Sequence, residues 1–153
     1  MENIVPGWPG IHREEPQVQF TSHEIDFELP DHETFAAWIT DAIEEEGFEP
    51  GHIDYIFCSD EFLLEINKTH LSHDEYTDII TFSFHDNPLS GEIYISIDRV
   101  KENADTFQTT FENELSRVMI HGILHLCGYD DHSDDDIEEI RQKEEEYIGR
   151  LEV

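Results

Sequence analysis

At 153 residues the chain fits one compact domain and is long enough to bury a core. Its 38 Asp and Glu against 8 Lys and Arg give a formal net charge of −30, which excludes the broad basic surface of most nucleic-acid binders and predicts strong self-repulsion in dilute buffer. Two cysteines, Cys58 and Cys127, exclude a disulfide framework, and with no leader pattern and no apolar run near the ~18 residues that cross a bilayer, a soluble cytoplasmic protein with reduced thiols is expected.

The Debye length shrinks from about 10 Å at 0.1 M salt to about 3 Å at 1 M. The charge therefore points to a salt-rich cytoplasm, set against the plainer reading of an acidic mesophilic protein.

Residues 1 to 16 contain Pro6, Gly7, Pro9, Gly10 and Pro16 without a helical or strand period, so a flexible extension is expected there and a single domain over 17 to 153. Val18, Phe20, Ile25, Phe27 and Leu29 fall mostly at alternate positions, predicting a half-buried strand or a bent pair of short strands that Pro30 and Asp31 end. Asp31 is the expected N-cap of an amphipathic helix carrying Phe35, Trp38, Ile39, Ala42 and Ile43, with Gly47 beyond its last turn. Ile53, Tyr55 and Phe57 alternate through Cys58 as a strand, and Ser59 can cap a short helix with Phe62, Leu63 and Ile66.

Thr77 to Phe84, reading TDIITFSF, is rich in β-branched and aromatic residues and predicts a strand. A turn at Asn87, Pro88, Ser90 and Gly91 leads to a second strand, Glu92 to Ile97, as a hairpin. A short helix is expected from Asp98 to about Thr106. Thr110 can cap the next helix, which ends near Cys127, and Ser133 can cap a last one. In that last helix Ile137, Ile140, Tyr147, Ile148 and Leu151 form the apolar stripe, with Asp134, Asp135 and Asp136 at its positive end. About four strands in a small mixed sheet with about five helices predicts an α+β fold rather than a regular alternating one.

The penultimate helix carries the chemistry. In HGILHLCGYDDH, His121 and His125 stand four apart and so share a helix face. Gly128 accepts the left-handed backbone that stops a helix, so the chain can fold back and offer Asp131 or His132 as a third ligand. Three protein ligands with a fourth position left to water is the pattern of a catalytic zinc site. In a chain with ten histidines the same spacing also arises by chance, one ring then facing the core and the other water. A zincin peptidase would carry Glu directly after the first histidine, where Gly122 stands.

HGILHLCGYDDH resembles the signature of the YbeY family of zinc-dependent rRNA maturation endoribonucleases. TDIITFSF resembles that family's TDVLSF strand, Gly91, Glu92 and Ile93 resemble its GDI step, and Asn67 resembles the asparagine after its short second helix. Glu114 stands seven residues before His121, as in the family, and the resemblance covers residues 20 to 148. It implies a single α+β domain, one bound zinc, and hydrolysis of single-stranded RNA in rRNA 3′-end maturation and ribosome quality control. The implied partners are rRNA and ribosomal subunits, not DNA or a membrane.

The family's third ligand, a histidine six positions after the second, falls on Asp131, so the resemblance assigns His121, His125 and Asp131 to the metal. A carboxylate binds zinc at about 2.0 to 2.2 Å and is chemically adequate. Leu71 stands where the family has an arginine associated with nuclease activity, leaving Lys68 and Arg117 as nearby cations. Their plainer readings are a solvated helix residue and a partner of carboxylates. Two catalytic candidates remain. Glu114, two turns before His121, can orient a ligand or take a proton, or simply favour the helix dipole. Asp78 can support the site or cap a neighbouring turn. The rival functions are a metal-stabilised, non-enzymatic ribosome-associated factor and a metallohydrolase of peptides or small esters.

Overall fold

A computed structural model describes residues 17–71 and 76–151, without the Leu71 side chain. The expected extension at residues 1 to 16 lies outside the described residues. The elements run β1 (Gln17–Ser22), α1 (His32–Glu45), β2 (Pro50–Cys58), α2 (Asp60–Leu71), β3 (Ile79–His85), β4 (Leu89–Ser96), α3 (Ile97–Thr106), α4 (Phe111–Leu126) and α5 (Asp134–Ile148). The sheet order is β1-β2-β4-β3, with β1 and β4 parallel to β2 and β3 antiparallel to β4. This is the expected α+β architecture with a mixed four-stranded sheet.

Ser90 and Gly91 of the expected turn already belong to β4, β3 begins at Ile79 and not at Thr77, and three further expectations shift, each for a local reason. Only the first half of the segment from Val18 to Leu29 is strand. The Ser22 hydroxyl then donates to the Phe27 carbonyl at 2.5 Å and Glu24 takes a positive φ of 55°, so the chain leaves the sheet. Phe27 finds its burial edge-on against Phe57 and Phe111 instead of in a strand pair. Asp31 does not cap α1 with its side chain: its φ is 52°, whereas a capping side chain needs an extended backbone, and only its carbonyl serves, accepting from the Phe35 amide. Ile97 belongs to α3 and not to the strand, because the Ser96 hydroxyl accepts from the Arg99 amide and starts the helix one residue early. The other expected caps form, with Ser59, Thr110 and Ser133 each accepting from the amide three residues on.

The core lies between α4, α1 and one face of the sheet. Val118, Met119, Ile120, Ile123 and Leu124 of α4 are buried with Ile39 and Ile43 of α1 and with Ile53, Tyr55, Ile93 and Ile95 of the strands. The buried Tyr55 hydroxyl donates to the Met119 carbonyl at 2.7 Å, tying α4 to the central strand. A Cβ on Gly122 would lie 3.0 Å from both Ile79 Cδ1 and Ile93 Cγ2, so glycine is what lets α4 rest this closely on β3 and β4. On the opposite face α2 packs Leu63 and Ile66 against Cys58 and Ile80. Cys58 and Cys127 are unpaired, and burial pushes both thiols up to about 12. Among the described residues no helix is long and apolar enough to cross a membrane.

Candidate metal centre

With Gly122 and the buried residues of α4 turned to the sheet, His121 and His125 project from the half-buried side of the helix, their ring centroids 4.5 Å apart. The helix ends where Gly128 takes a φ of 106°, and a Cβ there would meet nothing within 4 Å, so backbone conformation rather than space selects glycine. The Tyr129 amide donates back to the Leu124 carbonyl, and the reversed chain carries Asp131 toward the histidines. Asp131 Oδ2 lies 3.5 Å from His125 Nε2, and His121, His125 and Asp131 each offer one ligand atom, all within 4.8 Å of one another. His132 is exposed and does not join this cluster.

The histidines are fixed from behind by two different acceptors. His121 Nδ1 lies 2.5 Å from Glu144 Oε2, and His125 Nδ1 lies 2.9 Å from the Tyr129 carbonyl oxygen. A carboxylate and a carbonyl can only accept, so each Nδ1 donates a proton behind the ring and Nε2 is the nitrogen left for a ligand. That tautomer is the one a histidine metal ligand needs, and an outer acceptor of this kind is its usual support. The two imidazoles and one carboxylate therefore suit a divalent metal such as zinc.

Glu144 was not foreseen. It is 2% exposed on α5 and shares the Arg117 guanidinium with Glu114, also 2% exposed. Arg117 reaches Glu144 at 3.3 Å and grips Glu114 through two contacts of 3.0 and 2.6 Å. The hydrogen bonds that Arg117 donates to Glu114, opposed by burial, drive its pKa further upward, so its charge is permanent. The signal for Glu144 lay in its position four residues after Ile140 and three before Tyr147, a carboxylate on the apolar stripe of an amphipathic helix.

Glu114 does not reach His121; its carboxylate is occupied by Arg117, two contacts removed from the ring. Asp78 lines the cleft, 4.0 Å from Arg117, and burial raises its carboxyl above the ordinary aspartate value while Arg117 and His121 pull it down. The cleft is about 480 Å³, with Asn67, Tyr76 and Thr81 on its walls, and among the described residues lining it none is Lys or Arg. Lys68 is exposed on α2, and the Leu71 side chain lies outside the described residues.

A family model described as endoribonuclease YbeY matches residues 17–152. The endoribonuclease YbeY of Flavobacterium psychrophilum is 50% identical over 133 residues, covering 86% of this chain and 95% of that relative. The endoribonuclease YbeY of Christiangramia forsetii is 48% identical over 141 residues, covering 92% of this chain and 98% of that relative. The solution structure of TM1509 from Thermotoga maritima matches the fold with a TM-score of 0.60 at 30% identity, over 88% of this chain and 89% of that one. With about half its residues shared across nearly the full length of such relatives, and the histidine helix within the matched span, the chain belongs to the endoribonuclease YbeY family.

Proposed function

We propose that this chain is a zinc-dependent endoribonuclease that cleaves single-stranded RNA in rRNA maturation and ribosome quality control, working in the cytoplasm on ribosomal subunits. The observation that carries the reading is the convergence of His121, His125 and Asp131, with both Nδ1 atoms committed to acceptors behind them. Zinc held by these three residues supplies Lewis-acid activation of a water near neutral pH. Glu144 holds the His121 ring, and Arg117 holds Glu144 in position. Asp78, on the cleft wall with its carboxyl raised, is the group suited to receive a proton from the attacking water. Glu114 acts one step further back, by orienting Arg117.

The peptidase alternative loses support at Gly122, whose Cβ direction runs into Ile79 and Ile93 of the sheet, so a glutamate there would have neither room nor access to the cleft. A metal-stabilised, non-enzymatic ribosome-associated factor keeps one favourable observation, the lack of Lys or Arg among the described cleft residues. Metal analysis of the purified protein with cleavage of single-stranded RNA in high salt, and His125→Ala as control, separates the two. Stoichiometric zinc and cleavage that His125→Ala abolishes support the nuclease; ribosome association by a wild-type chain that cleaves no RNA overturns it. The −30 charge also supports a salt-rich cytoplasm, for which stability should rise with KCl, and a steady fall toward molar KCl would overturn that part.

A further inference from the structure

Glu46, just past the end of α1, has a side chain only 9% exposed and collects hydrogen bonds from two tyrosines. Its Oε1 accepts from the Tyr129 hydroxyl at 2.8 Å, its Oε2 accepts from the Tyr147 hydroxyl at 2.5 Å, and Lys143 Nζ stands 3.6 Å from Oε2. Tyr147 belongs to α5, but Tyr129 belongs to the turn that completes the metal centre. The main-chain carbonyl of Tyr129 is the acceptor for His125 Nδ1, and Asp131 follows two residues later. Gly128, with its φ of 106°, gives this turn freedom on the helix side, so the tyrosine side chain is the anchor on the other.

We propose that Glu46 is a positioning residue for the metal centre: by holding the Tyr129 hydroxyl it sets the Tyr129 carbonyl on His125 Nδ1 and the approach of Asp131. The inference rests on the metal reading above and extends it to a residue 79 positions before His125 in the chain, outside the histidine motif. A staple that only joins α1 to α5 would need Tyr147 and not Tyr129. The difference between the two tyrosines is therefore the test.

The metal-free full-length chain is titrated with zinc and with Co²⁺, reading affinity by competition and the ligand field from the visible Co²⁺ spectrum. Tyr129→Phe, which removes one hydroxyl and keeps the ring and carbonyl, and Glu46→Gln are each expected to weaken metal binding about 10- to 100-fold and to change the Co²⁺ spectrum. The double variant should fall within about twofold of the weaker single, because both remove the same hydrogen bond. Tyr147→Phe loses a comparable buried hydrogen bond and should lower thermal stability while leaving metal affinity within about twofold. Unchanged affinity in Tyr129→Phe, equal weakening in Tyr147→Phe, or additive effects in the double variant would each overturn the proposal. A wild-type chain that binds metal no better than His125→Ala overturns the metal reading and this inference together, whereas normal wild-type binding with an unaffected Tyr129→Phe overturns this inference alone.

Discussion

His121 and His125 stand one helical turn apart on α4, yet what holds each in place differs in charge, burial and origin. Behind His121 is a buried ionic chain, Glu144, Arg117 and Glu114, spread over two helices whose carboxylates are 2% exposed. Behind His125 is a neutral main-chain carbonyl in a turn, and the Asp131 side chain that follows is 46% exposed. The helix half is set by packing and carries two buried carboxylates on one guanidinium; the loop half is set by one glycine and the contacts of one tyrosine. A divalent cation held between them would offset the negative charge of the first and tie down the second.

The largest expected effect is the removal of a ligand from either half. His121→Ala and His125→Ala should each lose stoichiometric metal and RNA cleavage above background, checked by metal analysis and gel assay. In the loop half Asp131→Ala should lose metal and His132→Ala should keep it; the opposite result would give the third position to His132 and break the comparison on the exposed side. Next in size is Glu144→Ala, which removes one of the carboxylates around Arg117 and leaves the His121 Nδ1 without its acceptor in a buried site. Breaking a buried pair from one side costs about 3 to 5 kcal/mol, so urea unfolding of the metal-free variant should show a loss of that order. Glu144→Gln keeps an acceptor and should lose less. Chelation of the wild-type chain comes third: metal at a hundred times its dissociation constant stabilises by about 2.7 kcal/mol, which should vanish on adding a chelator and be absent from the start in His125→Ala.

The helix half was legible where it is periodic and illegible where it is tertiary. The spacing of His121 and His125, the stop at Gly128 and the caps at Thr110 and Ser133 are local features, and each formed. The resemblance assigned Asp131 rather than His132, and Asp131 is the one whose ligand atom stands within 4.8 Å of those of His121 and His125. Glu144 stands 23 residues after His121, and nothing local links them; only its place on the α5 stripe marked it as a carboxylate in need of a partner. Glu114 could be read as a dipole residue or as a site residue; it stands in the first turn of α4, and Arg117 one turn on holds its carboxylate. The segment after β1 misled for a related reason. Ile25, Phe27 and Leu29 alternate because they need burial, and ring packing on Phe57 and Phe111 satisfied Phe27 without a strand partner.

The smallest effect tests whether the loop half depends on its far end. Ser133 begins α5 with a reciprocal pair of bonds: its hydroxyl accepts from the Asp136 amide at 3.1 Å, and its amide donates to Asp136 Oδ2 at 3.3 Å. Replacing a capping serine by alanine costs about 1 kcal/mol, so Ser133→Ala should shift the unfolding midpoint modestly. Because Asp131 lies two residues before this cap, the same variant reports which contacts set the ligand turn. If Tyr129 and Gly128 set it, as the hydrogen bonds of Tyr129 indicate, metal affinity should stay within about twofold of wild type. A larger fall would mean that α5 positions both halves, through Glu144 on His121 and through its first turn on Asp131, and the contrast between an ionic half and a loop half would reduce to two ends of one helix.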